Sequence, residues 1–189
     1  MTKSVLLVGV GGQGTILAGK ILSNGLLAAG FDVKMSEIHG MSQRGGAVST
    51  HVRFGEKVHS PVIEKGSADV LISFEQLEAL RWVSYLKPDG KAVVNSQTIF
   101  PTPVLSGAAT YPADVLDRLG EATDVKVLDA TAEAAKIGNP RGQNVLLVGA
   151  AVKLLGVKGV DWNDVIAQNV KSQFVEMNQK AFEKGYELV

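Results

Sequence analysis

The hexapeptide Gly9-Val10-Gly11-Gly12-Gln13-Gly14 constrains this chain more than any other stretch. It matches G-x-G-x-x-G and stands in the context that pattern needs, after a strand and before a helix. Ser4 to Val8 is a short, β-branched apolar run that reads as a buried parallel strand. Residues from about Gly14 to Ala29 read as a helix closed by Gly30, and Phe31 to Ile38 as a second strand. The three form a βαβ unit whose crossover is expected to be right-handed. Glycines permit a tight turn and let backbone N–H groups approach a ligand closely, while the helix N-terminus favours a phosphate. Glu37 ends the second strand, roughly 20 residues on, where an acid would hold the ribose of a dinucleotide. On these residues alone two readings stand: a phosphate-bearing ligand, or glycines that only let helix and strand pack closely.

Beyond this unit the alternation continues with one interruption. His39 to Gly46 reads as a polar loop, and Ala47 to Phe54 with Val58 to Ile63 as a hairpin turning near Gly55. Asp69 to Phe74 is a buried strand, Glu75 to Leu86 a helix, Lys87-Pro88-Asp89-Gly90 a turn and Lys91 to Asn95 a strand. Val125 to Leu128 adds a strand and Thr131 to Ile137 a short helix. Asn139 as N-cap and Pro140 at the first helical position start a helix that runs to about Leu155. Asp161 caps a last helix, in which Ile166, Val170, Phe174, Met177 and Ala181 keep a helical period. The expected fold is α/β: a Rossmann-like open, mostly parallel sheet with helices on both faces and an inserted β-hairpin. Residues 1–189 are expected to form a single domain, since neither repeat nor linker divides them.

Two further segments could meet a ligand. His39-Gly40-Met41-Ser42-Gln43-Arg44-Gly45-Gly46 leaves the carboxyl end of a strand carrying a cation, a hydroxyl and an amide. Arg141 and Asn144 fall on the first turn of a capped helix, whose free N–H groups attract anions. The plainer alternatives are a solvated loop and ordinary capping. His39, His51 and His59 could exchange protons near neutral pH, but no nucleophile or carboxylate is arranged with them. The chain has no cysteine, which excludes a thiolate nucleophile and cysteine-held iron–sulfur clusters, and the dispersed histidines suggest no metal site. Lys plus Arg equals Asp plus Glu at 19 each, so no basic excess points to nucleic acid or to an anionic membrane. The glycine-broken opening run is neither signal peptide nor membrane span, and a cytoplasmic location is expected.

Taken together, residues 9–15, 37–46 and 49–55 resemble the gamma-type domain of 2-oxoacid:ferredoxin oxidoreductases. Ser60-Pro61-Val62-Ile63, Ala68-Asp69-Val70-Leu71 and Phe74-Glu75-Gln76-Leu77-Glu78-Ala79-Leu80-Arg81 continue the match. The Glu-x-His-Gly-Met-Ser-Gln-Arg-Gly-Gly form is similar to the small (beta) subunit of the indolepyruvate branch. The resemblance implies an assembly, inactive as this chain alone, that oxidatively decarboxylates a 2-oxoacid such as indolepyruvate. Coenzyme A accepts the acyl group and ferredoxin the electrons. Thiamine diphosphate and the iron–sulfur clusters are expected on a large (alpha) subunit, with no cofactor on this chain alone. The small chain would complete the coenzyme A side and the assembly, and would pair with itself when the partner is absent. Carried over by position, coenzyme A contacts fall at Gly11, Gly12, Gln13 and Gly14, at Ser42, Gln43 and Arg44, and at Arg141 and Asn144. The competing readings are a stand-alone NAD(P)-binding dehydrogenase and a non-catalytic scaffold.

Overall fold

The structure, a computed structural model, describes residues 2–40 and 45–189. The chain runs β1 (Lys3–Val10), α1 (Thr15–Ala28), β2 (Asp32–His39), β3 (Ala47–Gly55), β4 (Ala68–Ser73) and α2 (Gln76–Trp82). It continues through β5 (Leu86–Asn95), α3 (Thr102–Leu105), α4 (Val115–Ala122), β6 (Asp124–Leu128) and α5 (Ala130–Lys136). It ends in α6 (Gln143–Leu155), α7 (Trp162–Asn169) and α8 (Val175–Glu187). Six strands form one sheet in the order β2-β3-β1-β4-β5-β6. β1, β4, β5 and β6 are parallel, and β3 is antiparallel to both of its neighbours.

The period-two alternation of β1 sorts the core. Val5 and Leu7 face a cluster completed by Ile21 and Leu22 of α1, Leu146 and Val148 of α6, Ile166 of α7 and Phe182 of α8. Leu6 and Val8 face Ala79 of α2 and Val115 and Leu119 of α4. Helices therefore cover both faces, and β1 is continuously apolar from Val5 to Val8 because both of its sides are buried there. No described helix is long and apolar enough to cross a membrane.

The structure moves the hairpin. Its strands are β2 and β3, in register from Asp32↔Gly55 to His39↔Val48, and not β3 with Val58 to Ile63. β3 enters between β1 and β2 and is hydrogen-bonded on both sides, so the following segment has no free edge to join. Side chains hold it instead. Arg53 donates through Nη1 to the carbonyls of Ser60 and Val62 at 3.1 and 3.2 Å. The Ile63 N–H donates to His51 Nδ1 at 3.1 Å. The His-Val-Arg-Phe-Gly and Ser-Pro-Val-Ile motifs thus form one clamp.

Three other boundaries differ from expectation. Lys87 to Gly90 lies inside β5, where the register shifts between Ala68 and Val70 of β4 and the intended turn becomes an irregularity. Asn139 to Gly142 is a turn closed by Gly142 N–H donating to Asn139 O at 2.8 Å, so α6 starts at Gln143 with Gly142 as its cap. Asn and Pro suit the first two positions of a β-turn as well as a helix start, which is why the pattern misled. The last helix is two helices. α7, whose N-cap Asp161 accepts from Asn163 and Asp164 N–H, ends where Asn169 Nδ2 donates to Val165 O at 2.8 Å. Val170 is then extended before α8 resumes the same apolar face. An asparagine amide that competes for helix carbonyls favours such an end.

α6 and α8 cross in close backbone contact. A Cβ on Gly149 would strike the Phe182 carbonyl, and one on Gly185 the Leu146 carbonyl. Both helices pack over the sheet behind the glycine loop, so their spacing fixes the start of α6. Gly185→Ala is therefore expected to destabilise the chain by about 1–3 kcal/mol through overpacking, measured as a lowered urea midpoint at unchanged m-value. Wild-type stability in that variant would mean that the helices can separate freely.

Candidate functional site

The glycine loop is braced from within by Gln13. Its Oε1 accepts from the Val10 N–H at 2.7 Å, while Nε2 donates to Phe74 O at 2.8 Å and Gln97 Oε1 at 3.0 Å. Both amide donors are spent on the loop's own geometry. Gln13 thus braces the loop, and it also lines the cleft beside it. Gly12 and Gly14 take positive φ, 104° and 81°, which a side chain would strain. A Cβ on Gly14 would also lie 2.5 Å from Asn144 Nδ2. That amide donates to Gly14 O at 3.2 Å, tying the start of α6 to the start of α1. Gly11 N–H donates to Gly46 O at 2.8 Å, so the end of the β2–β3 connection is fastened to the loop. Ser42, Gln43 and Arg44 lie outside the described residues.

Sequence reasoning missed the residue that joins the strand ends. Asn95, fully buried at the end of β5, donates through Nδ2 to Gln143 Oε1 at 3.1 Å and Phe74 O at 3.2 Å. Its Oδ1 accepts from Ala130 N–H at 3.1 Å. Thr131 adds a 2.6 Å bond to Gln143 Oε1. A buried polar residue ending a β-branched run is the signal that could have found it.

These ties bring the N-termini of α1 and α6 to one cleft of about 830 Å³. Gly12 and Gly14 form one wall, Arg141, Gln143 and Asn144 another, and Lys171 with Phe174, after the α7 end, a third. Arg141 and Asn144 are therefore brought to the glycine loop. Lys171 was not foreseen, because an unbroken last helix would have carried it away. Neither Arg141 nor Lys171 is in an ion pair among the described residues. The lining includes no carboxylate. α2, α4, α5, α7 and α8 each carry an acid in the first turn, whereas α1, α6 and the four-residue α3 carry none, and of these only α1 and α6 have glycine N-caps. The positive ends of two helices and two free cations thus face the same space, an arrangement that favours a polyanion.

A smaller groove of about 360 Å³ lies on the other side of the glycine loop, between Thr15 and Ile16 of α1 and Glu37, His39, Val48 and Thr50 of β2 and β3. Glu37 lies two strands from β1 because β3 intervenes. That puts it about 10 Å across the sheet, twice the neighbouring-strand spacing, and outside the arrangement in which a dinucleotide's ribose meets its acid. The stand-alone dehydrogenase reading loses its main support.

A family model described as pyruvate ferredoxin/flavodoxin oxidoreductase matches residues 4–188. The chain belongs to this family. Among curated relatives of the family, indolepyruvate oxidoreductase subunit IorB of Pyrococcus horikoshii is 39% identical, with 96% of this chain and 93% of that one covered. Its counterpart in Archaeoglobus fulgidus is 36% identical over 98% and 94%. A crystal structure of the keto/oxoacid ferredoxin oxidoreductase gamma subunit of Geobacter sulfurreducens shares 25% identity, with a TM-score of 0.75 and 98% and 97% of the two chains covered. The α/β fold, with its mostly parallel sheet, is the fold of that family's gamma subunits.

Other family motif residues serve the frame. Glu75 caps α2 by accepting from Glu78 N–H at 2.8 Å, and its Oε1 accepts from Tyr111 OH at 2.6 Å. Burial, and then the bond to Glu75, pushes the Tyr111 hydroxyl far above its ordinary range. Glu78 is raised by burial against the opposing charge of Arg81, 2.6 Å away. His51 is buried in β3 and held below its ordinary value of 6.5 by desolvation. With Nδ1 accepting from Ile63 N–H, it is a neutral structural histidine.

A buried histidine with a lowered value resists the proton that the unfolded chain accepts. Its contribution to stability is complete above about pH 6.5 and is lost progressively as the pH falls below that. Urea denaturation between pH 7.5 and 5 should show this slope, and His51→Gln should flatten it. An unchanged slope would place the titration elsewhere.

Proposed function

We propose that this chain, acting as one unit, is the small subunit of a 2-oxoacid:ferredoxin oxidoreductase of the indolepyruvate type. Its share of the reaction is to hold the phosphates of coenzyme A at the paired N-termini of α1 and α6. Relatives at 36–39% identity over nearly the full chain bear the indolepyruvate name, which supports the aryl-pyruvate class of substrate. One observation carries the binding reading: a cleft without carboxylates, walled by two acid-free helix starts, Arg141 and Lys171.

Guanidinium and ammonium groups bind phosphate through charge-assisted hydrogen bonds. The backbone of Gly12 and Gly14 and the free N–H groups of the first turn of α6 add donors that need no side chain to be ordered. Asn144 and Gln13 keep the two helix starts in place, and Gly12 and Gly14 let the backbone approach the ligand. The chain has no cysteine to hold a cluster, and its described residues offer no group of three metal-binding side chains. Thiamine diphosphate and the iron–sulfur clusters are accordingly assigned to a larger partner subunit, from which ferredoxin draws electrons. The acyl group formed there is transferred to the coenzyme A that this chain positions. Soluble partners of this kind imply a cytoplasmic assembly.

In the assembled complex, Arg141→Ala and Lys171→Ala are each expected to raise the coenzyme A concentration needed for half-maximal rate about ten- to a hundredfold. That corresponds to roughly 1.5–3 kcal/mol for a hydrogen bond to a charged group. Decarboxylation measured without coenzyme A should change little. If both partial reactions fell together with a smaller sedimentation coefficient, the cations would serve assembly and the scaffold reading would hold. Turnover of indolepyruvate with a viologen acceptor by this chain alone would overturn the subunit assignment.

A further inference from the structure

From Gln97 to Ala113 no residue is charged, although 20% of the whole chain is. Such a stretch belongs in a core, yet Thr102, Pro103 and Leu105 to Thr110 are all exposed. Leu105, at 72%, is the most exposed large apolar side chain among the described residues. The backbone offers water little more. Pro101 and Pro103 have no N–H, and those of Val104 to Ala109 all donate to carbonyls of Pro101, Thr102, Pro103 and Val104 at 2.8 to 3.1 Å. The Ser106 hydroxyl donates to Pro103 O at 3.1 Å. With charge absent and these donors spent, the segment presents mostly carbon: Phe100, Pro101, Pro103, Leu105 and Ala108. It is also held in shape. Glu75, 1% exposed, accepts through Oε1 from the Ile99 N–H at 3.3 Å and the Tyr111 hydroxyl at 2.6 Å, so one carboxylate oxygen clasps both ends. The Phe100 and Tyr111 rings meet edge to face with centroids 5.3 Å apart. A surface ordered beforehand loses less freedom when it docks.

We propose that residues 97–113 are a docking knob for the large partner subunit, received in an uncharged, apolar hollow of that subunit. This rests on the reading of the chain as the small subunit of such an assembly. Two observations select the occupant. The first is chemical. Charge depletion around apolar anchors marks the centre of a protein–protein interface, whereas a membrane surface or a nucleic acid would meet no opposite charge here. The second is position. The Gln76 N–H donates to Gln97 O at 3.2 Å, and Gln97 Oε1 accepts from Gln13 Nε2 at 3.0 Å. Gln13 lines the cleft, so the knob springs from the cleft's rim, beyond the carboxyl end of β5. A chain that hands an acyl acceptor to its partner must be met by that partner over this edge. A second copy seated there would instead set two like clefts against each other, with no reaction centre for either to serve.

The test measures binding of the full chain to the purified large subunit of the indolepyruvate oxidoreductase of the same cell, by biolayer interferometry. Sedimentation velocity follows the chain alone. Leu105→Asp puts a charge on the tip of the knob, and since that side chain already lies mostly in water the urea midpoint should not move. The dissociation constant should rise about tenfold or more, as for a central anchor. Ala108→Glu, on the same exposed tip, should act likewise and gives an independent reading. Leu105→Met, which keeps the tip apolar, should bind as the wild type does. Leu27→Asp, on a side chain 53% exposed in the last turn of α1, should also leave binding unchanged. Wild-type affinity in both Leu105→Asp and Ala108→Glu, or an equal loss in Leu27→Asp, overturns the docking surface and leaves the subunit assignment standing. If Leu105→Asp abolishes self-association of the chain but not binding to the large subunit, the knob serves a second copy and the partner named here is wrong. A wild-type chain that does not bind the large subunit overturns the subunit assignment and the docking surface with it.

Discussion

β3 is hydrogen-bonded to β1 on one side and β2 on the other, antiparallel to both. Much of the molecule follows from that insertion. It pushes β2 to the edge and sets Glu37 two strands from β1. It leaves Val58 to Ile63 without a strand to join, so that segment depends on His51, Arg53 and Asp32, whose Oδ2 accepts from Val58 N–H at 2.8 Å. It also brings Gly46 against Gly11, fastening the β2–β3 connection to the glycine loop. An ordinary βαβ unit would have placed β2 beside β1, filled the space of the groove and kept the dinucleotide arrangement.

The second governing choice is electrostatic and local. The whole chain is balanced, with 19 basic and 19 acidic residues, so no global field steers an anion to it. Selectivity comes from where acids are withheld. Five helices have an acid in the first turn that offsets the positive end of the dipole, while the long helices α1 and α6, like the single-turn α3, leave theirs uncompensated. Uncompensated helix starts sacrifice some helix stability when no ligand is present. Packing restores it: the α6–α8 crossing is close enough to exclude a Cβ at Gly149 and Gly185, and Asn144 ties α6 to Gly14. Tight packing behind the loop and open charge in front of it belong together.

What could be read from the sequence was what local chemistry alone decides. β1, α1 and β4 are continuous apolar or periodic runs, and Asp161 caps a helix because the free N–H groups of the first turn need an acceptor and nothing competes. What could not be read depended on long-range choices. Ala47 to Phe54 has the alternation of a strand whichever partner it takes, so the hairpin was assigned to the nearer segment. Asn139-Pro140 serves equally as helix start or turn, and only the distance to Gly14 decides. Ile166, Val170 and Ala181 of the expected period pack on one core, but Phe174 is exposed, and a period does not register the extended Val170 within it. Lys171 was hidden for that reason, and the bracing role of Gln13 was hidden because a glycine loop gives no sign of what braces it. The resemblance carried the family, while the cleft needed the fold.

On the proposed function, a chain that holds coenzyme A while its partner holds the redox groups can still govern the rate of the shared reaction. Acyl transfer to coenzyme A brings together two large partners, and a thiol arriving on a flexible arm loses much of its freedom on reaching the acyl carbon. Binding energy collected far from the reacting sulfur, at the phosphates, can offset that loss without touching the chemistry. Rigid donors serve this better than flexible ones. Backbone N–H groups at two helix starts, fixed by Gln13, Asn95 and Asn144, lose almost no freedom when the phosphates arrive. Arg141 and Lys171, both exposed, add charge at the rim. On this argument the division between subunits is physical as well as historical. On the proposed function the partner would hold the groups that make and oxidise the acyl intermediate, and the small chain would hold the charged end of the acceptor.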